Sequence, residues 1–427
     1  MNYAEALDFI LGSAGQGAKD GTANMLRLAA LLGNPQEAYP CAHIAGTNGK
    51  GSVAAMVAAG LMAGGLRVGL YTSPSLVRYN ERIRVDGRCI ADDELAVITT
   101  QVAQAVAALR EGGIKPTFFE IGTAIAMTHF RAVQADVAVF ETGLGGRLDS
   151  TNIVQPAVSV VTRIGLDHMK LLGDTLEKIA GEKAGIFKPG VPVVLAPQDE
   201  AARSVLLAQA QRLHCPVVDL SEAVIDGIAT SREGTSFGIG YGGQHHTLQT
   251  RLAGAHQAAN AATAFYTLRA LQERLKLTDE AIAHGIRSAK WPGRLEWMPP
   301  FLLDGAHNLQ CAEALAAALP DVLGQGVKPV LIVGMMADKD VNGIVACLAR
   351  VAGDAVYCVA VENRRAMQPE ALAQRFAEHG VHALPMSSIA GAMEAARTHG
   401  QPVLVAGSLY VVGDVRGRLC DGDVDLV

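Results

Sequence analysis

The octapeptide Ala45-Gly46-Thr47-Asn48-Gly49-Lys50-Gly51-Ser52 leaves this chain few folds to choose from. It follows a short apolar run, Cys41-Ala42-His43-Ile44, and opens a helical stretch over residues 53–62. Strand, glycine-rich loop and helix in that order aim backbone N–H groups and a helix N-terminus at a bound phosphate. Gly46, Gly49 and Gly51 lack a Cβ and permit close backbone approach. Lys50 offers a point charge between phosphates, and Ser52 a hydroxyl for a phosphate-bound magnesium. The usual phosphate loop has Gly at position 44 and Ser or Thr directly after the lysine. Ile44 and Gly51 stand there instead, so this loop is a variant. A strand-to-helix turn that is glycine-rich by chance is the competing reading. Lys50 and Ser52, in order after the glycines and before a helix, argue against it.

Apolar runs at residues 68–71, 136–140, 158–161 and 191–195 read as buried parallel strands. Helical patterns over 92–110, 119–133 and 175–187 separate them, which predicts a doubly wound α/β unit. From 223 to 252 the pattern becomes short alternating strands with turns at Asp226-Gly227, Glu233-Gly234 and Gly242-Gly243, a small antiparallel region. A helix over 255–275 follows. Trp291-Pro292-Gly293-Arg294 punctuates the chain, and a new α/β rhythm begins. Strands are expected at 301–303, 330–333, 356–359 and 403–405, with helices at 309–319, 341–351, 369–378 and 389–399. The fold expected is a phosphate-loop, doubly wound, mostly parallel sheet with a small antiparallel region, plus a second, smaller Rossmann-like α/β domain. The division is placed at 1–293 and 294–427; 427 residues are too many for one core to grow.

Charge and cysteine usage narrow the class. The net charge is −6 with no long basic run, which leaves no nucleic-acid footprint. Anionic ligands must therefore be met by a few placed cations. Seven scattered cysteines without a C-x-x-C pair read as buried thiols in a reducing, cytoplasmic setting. The first 17 residues form an amphipathic segment unlike a signal peptide, and no apolar run reaches the ~18 residues of a membrane span.

Glu141 ends an apolar strand and is followed by the glycine turn 142–146. It reads as a magnesium ligand or as a solvated turn residue, and the loop upstream favours the metal. His168 lies just past the next strand, either ligand or structural. Lys183, beside Glu182 near a helix end, is an ordinary solvated lysine or one carbamylated by carbon dioxide into an anionic ligand. Ser73-Pro74 follows the strand 68–71. The segment 78–83, with Arg78, Tyr79 and Arg82, suits a flat anionic ligand or is a surface loop. Asp304-Gly305-Ala306-His307-Asn308 crowds a strand-to-helix turn, either a helix cap or a contribution across a domain cleft.

Together these segments resemble the folylpolyglutamate synthase / dihydrofolate synthase family of the Mur-ligase superfamily. The loop 46–52 is similar to the superfamily's own form. Tyr71-Thr72-Ser73-Pro74 with residues 78–83, the stretch 141–152 and Glu182-Lys183-Ala184-Gly185-Ile186 resemble the folate branch in particular. The resemblance implies an ATP-dependent amide ligase that adds L-glutamate to a folate, and also to dihydropteroate, through an acyl phosphate. It implies two Mg2+ sites: Ser73 and Glu141, with Ser52 on the nucleotide's metal, and His168 with a carbamylated Lys183. It implies ATP contacts from Gly46, Thr47, Asn48, Gly49, Lys50, Gly51, Ser52, Asn260, Arg294, Asp304 and His307. The substrate side would use Arg82, Thr117, Phe118, Phe119, Glu120, Leu148 and Asp149, with Ser408 toward glutamate. A monomer acting on small molecules, without nucleic acid or membrane, follows from the same likeness. Residues 18–25 are a degenerate form of the family's glycine-leucine-glutamate segment. Two alternatives stand beside this reading. One is another Mur-type amino-acid ligase, which usually carries a further N-terminal domain ahead of the loop. The other is a phosphate-loop ATPase without ligase chemistry, which would not need a second domain bearing Asp304 and His307.

Overall fold

The structure, a computed structural model, describes residues 1–14, 21–363, 365–420 and 425. Of the degenerate segment at 18–25, residues 18–20 lie outside the described residues. Among the described residues, three sheets organise the chain. The first holds β1 (Cys41–Ala45), β2 (Val68–Tyr71), β3 (Ile83–Val85), β4 (Arg88–Cys89), β5 (Val137–Glu141), β6 (Val158–Val161), β7 (Val193–Leu195) and β8 (Val217–Asp219). Their spatial order is β4-β3-β2-β5-β1-β6-β7-β8, parallel except for the antiparallel additions β3 and β4. The second is an antiparallel meander of β9 (Ile225–Ser231), β10 (Gly234–Tyr241) and β11 (Gln244–Thr250). The third holds β12 (Glu296–Met298), β13 (Phe301–Leu303), β14 (Val330–Val333), β15 (Val356–Val359), β16 (Ala383–Met386) and β17 (Val403–Ala406). It runs β12-β13-β17-β14-β15-β16, parallel except for β12.

Why β1 and its helix sit at the centre follows from their composition. Every residue of β1 is buried, as befits a strand flanked on both edges and covered on both faces. The helix Lys50–Ala63 is alanine- and glycine-rich and has no polar face. It is enclosed between the sheet and the helices His256–Leu275 and Asp279–Ser288. Gly60 and Gly285 make the last crossing possible. A Cβ on Gly285 would stand 2.2 Å from the Gly60 Cα, so only two glycines allow the helices to touch there.

Five strands among the described residues escape the sequence reading, each for a local reason; β4, at one edge of the first sheet, is only two residues long. The strands β8, β12 and β16 are edge strands of three or four residues. β16 contains Pro385, which an edge tolerates because one side of the strand needs no N–H donor. The strand β3 hides in an arginine-rich stretch, and its Arg84 is only 2 % exposed. The helix expected to end at Leu319 runs on to Leu323, with Pro320 in its last turn. Asp226-Gly227, expected as a turn, lies within β9, opposite a register shift between Ser236 and Gly238.

At the centre of the first sheet the connections diverge. β1 lies between β5 and β6, so their carboxyl ends open a crevice, the usual ligand position in such sheets. The third sheet brings the carboxyl ends of β13 and β14 against the same crevice.

Candidate active site

A cleft of about 430 Å³ lies where the two parallel sheets meet. Gly46, Thr47, Asn48, Gly49, Lys50, Gly51 and Ser52 line it from β1, Ser73 from β2, Glu141 from β5, and His168 from the segment after β6. Lys183 comes from the helix Leu176–Ala184, Asn260 from His256–Leu275, and Arg294, Asp304 and His307 from around β13. All of the expected metal ligands and nucleotide contacts therefore share one cavity.

The loop is packed more tightly than its sequence foretells. At Gly49 (φ +88°) a Cβ would lie 2.4 Å from Asn260 Oδ1, and at Gly51 one would lie 2.6 Å from Trp291 Nε1. These glycines let the loop approach its own protein neighbours, which fixes its shape before any ligand arrives. The N–H groups of Thr47 and Asn48 both donate to Arg163 O at 3.0 Å, so they are already committed. The N–H groups of Lys50, Gly51 and Ser52 start the helix, where no preceding carbonyl takes them. Lys50 Nζ donates to Thr47 O at 3.2 Å. Gly49→Ala is expected to distort this cradle, combining αL strain with the Asn260 clash. ATP affinity should fall by about tenfold or more, roughly 1.4 kcal/mol, read by calorimetric titration.

Behind the loop, charge is out of balance. Glu141 is buried, and burial pushes its carboxyl up from the usual range against the pull of Lys50, the Ser73 N–H and Arg294. Its Oε2 accepts from Ser73 N at 3.2 Å. The Ser52 hydroxyl, 1 % exposed, has no hydrogen-bond partner. A buried carboxylate short of positive charge and an unmet hydroxyl, lining one cavity, are oxygen donors that suit a hard divalent cation. Lys183 is buried too. Loss of hydration, and secondarily Lys50, lowers its ammonium from 10.5 to about 7. Its Nζ donates to Gly46 O at 2.5 Å. Near neutrality a large share of this amine is uncharged, the form that adds carbon dioxide. His168 is half-exposed at αL φ (+51°), and burial holds its imidazole below the ordinary value. Among the described residues no three of His, Cys, Asp and Glu cluster as a ready metal cage.

Across the cleft, Asp304 accepts from Leu295 N (3.0 Å) and Ala306 N (2.9 Å), and burial raises its carboxyl. His307 Nδ1 donates to Gly305 O at 2.8 Å, which leaves Nε2 toward Asp167, 3.6 Å away. Asp167 also pairs closely with Lys339. The close Lys339 ammonium, with His307 nearby, holds its carboxylate well below the usual range despite partial burial.

The expected substrate residues lie outside the cavity lining and divide into two kinds. Phe119 and Leu148 are exposed at 40 % and 37 %, and the Phe119 ring covers Gly143. Arg82 lies over the rings of Tyr79 (5.5 Å) and Phe118 (5.3 Å). The rings meet edge to face, Tyr79 with Phe118 at 78° and Phe118 with Phe119 at 84°, and form a partly apolar shelf with one cation. Thr117, Glu120, Asp149 and Ser408 are instead bonded inward. Thr117 and Glu120 form the capping box of the helix Phe118–Ala132. Asp149 accepts from Gly143 N, Leu144 N, Thr151 N and the Thr151 hydroxyl, which closes the glycine turn. Ser408 caps the helix Leu409–Leu419. Sequence reasoning missed Gln310, Cys311, Asp167 and Lys339, whose meeting depends on how the two sheets dock.

Comparison with known proteins gives a consistent answer. Residues 44–268 match the Mur ligase middle domain and residues 293–409 the Mur ligase glutamate ligase domain. The chain is 36 % identical to a dihydrofolate synthase/folylpolyglutamate synthase of Bacillus subtilis, over 98 % of this chain and 99 % of that one. A Mycobacterium tuberculosis folylpolyglutamate synthase complexed with ADP superposes with a TM-score of 0.89 at 31 % identity, covering 99 % of both chains. An FPGS–AMPPCP–folate complex superposes with a TM-score of 0.87 at 34 % identity, covering 98 % of this chain and all of the other.

Proposed function

This chain belongs to the folylpolyglutamate synthase / dihydrofolate synthase family of Mur ligases, and from that premise we propose how its cleft works. It is a ligase that forms a carbon–nitrogen bond, adding L-glutamate to a folate with ATP as co-substrate. We assign dihydropteroate as a further acceptor, in line with the paired name of the Bacillus subtilis relative. The observation that carries the reading is the buried Glu141, under the pull of Lys50, in a cleft that the buried Lys183 also lines and that Asp304 and His307 close.

The reaction joins two anions, so neutralisation matters more than an acid or a base. A folate carboxylate attacks the γ-phosphorus of ATP, releasing ADP and leaving an acyl phosphate. The amine of glutamate then attacks the acyl carbon, and phosphate departs. Lys50 and the N–H groups at the start of its helix hold the β- and γ-phosphates. Arg294, Asp304, His307 and Asn260 orient the nucleoside. Ser52, Ser73 and Glu141 would hold one Mg2+, and His168 with a carbamylated Lys183 a second; bound magnesium supplies screening between carboxylate and phosphate. Phe118, Phe119, Leu148 and Arg82 take the flat ring system of the folate. Thr117, Glu120 and Asp149 shape that shelf, and Ser408 lies toward glutamate. The domain division falls at 293/294, and the protein acts as a cytoplasmic monomer on small molecules. No described helix is long and apolar enough to cross a membrane.

The test is direct. Purified protein receives ATP, Mg2+ and L-glutamate with either tetrahydrofolate or dihydropteroate, and products are resolved by mass. One glutamate added to each acceptor is the expected result. ATP turnover indifferent to glutamate would overturn the ligase reading, and an adduct on one acceptor alone would remove the dual assignment.

A further inference from the structure

The side chain of Asn48, in the middle of the phosphate loop, is spent on the other domain. Its Oδ1 accepts from Asn308 Nδ2 at 2.9 Å and from Cys311 Sγ at 3.1 Å. Its Nδ2 donates to Gln310 Oε1 at 2.6 Å. Those three partners follow His307 directly, at the start of the helix Leu309–Leu323, which Asn308 caps through Cys311 N (2.9 Å). The loop is held from behind as well, where the N–H groups of Thr47 and Asn48 meet Arg163 O and the Thr47 hydroxyl meets Gly165 O at 3.1 Å. Gly165 in turn faces Gln310: a Cβ there would stand 2.7 Å from Gln310 Oε1. The phosphate loop is thus clamped between the end of β6 and the second domain. The close pair of Asp167 with Lys339 spans the same gap nearby.

We propose that Asn48 and Gln310 are positioning residues that couple docking of the second domain to the shape of the phosphate loop. ATP is then held for transfer only in a cleft already closed to water. The inference rests on the ligase reading. Its consequence concerns the fate of the acyl phosphate. In a closed cleft the glutamate amine attacks the acyl carbon and phosphate leaves. In a loosened cleft water attacks instead, regenerating the folate carboxylate and releasing phosphate with no amide made.

Coupling stoichiometry reads this directly. Phosphate released per amide formed is measured for the wild type, Asn48→Ala, Gln310→Ala and the double variant at saturating ATP. The wild type should give a ratio near one. Each single variant should at least double it, because each opens the same clamp, and the double variant should be no worse than the poorer single one. Ratios that stay at one, or single effects that multiply in the double variant, overturn the coupling. Should Asn48→Ala fail to fold, Gln310→Ala alone decides through its ratio. A wild type that forms no amide sinks the ligase reading instead, so the two failures are distinct.

Discussion

Glu141→Gln is expected to lower kcat on the order of a thousandfold, about 4 kcal/mol of transition-state stabilisation, while the protein stays folded. Glutamine keeps the size and one oxygen but gives up the charge that would bind a cation between two anions. The stability side of this prediction has the opposite sign. Burial raises the Glu141 carboxyl, so its charged form is disfavoured in the folded state. The stability it contributes is whole below the unfolded carboxylate value of about 4.5. It is lost as pH rises through the higher folded value. At neutral pH the unliganded variant should therefore melt no lower than the wild type. Mg2+ with a non-hydrolysable ATP analogue should raise the wild-type melting temperature and leave the variant's nearly unmoved, as binding linkage requires. Retained turnover, or an equal ligand shift in both proteins, would remove Glu141 from the site.

The contrast between what the sequence discloses and what it conceals follows distance along the chain. The loop 45–52 was legible because strand, glycines, lysine and helix are consecutive, and each signal is local. Glu141 and His168 were legible as strand-end residues, because parallel strands in a doubly wound sheet put those ends on one edge. What the loop's sequence conceals is that the Asn48 side chain bonds residues about 260 positions away. Thr117 and Glu120 stand at capping-box spacing, a signal local enough to be legible, and the structure uses them as that cap. Asp149 shows the same limit. Its four inward hydrogen bonds arise from a turn geometry that no spacing reveals. The edge strand β16 and the buried Arg84 of β3 defeat apolar-pattern reading because their sequences are polar or proline-bearing while their positions are structural.

Lys183→Met is expected to abolish ligation and at the same time to stabilise the unliganded protein near neutrality, a pairing that separates function from fold. Burial lowers the folded-state value of this lysine to about 7 from 10.5. Between those values the unfolded chain binds more protons than the folded one, so wild-type stability rises with pH across that window and the penalty is whole below it. Methionine, of similar length and uncharged, has no such penalty, so its melting temperature should exceed the wild type's at pH 7, with the gap closing toward pH 10. Activity should run with the neutral amine. The lone pair of Nζ adds to carbon dioxide, one proton leaves, and the amine becomes an anionic carbamate in the cleft that Glu141 and His168 also line. The neutral share of the amine grows as pH rises through the folded-state value of about 7. Wild-type turnover should therefore climb with it and respond to added bicarbonate at the acid end. Labelled bicarbonate should give a carbamate carbon signal by NMR in the wild type and none in Lys183→Met. In Lys183→Ala, where the truncated side chain leaves room, a short carboxylic acid should restore part of the lost rate by supplying the missing oxygens. Indifference to bicarbonate, with no carbamate signal in the active enzyme, would leave Lys183 as a buried amine bonded to Gly46 and remove the second cation from the proposed site.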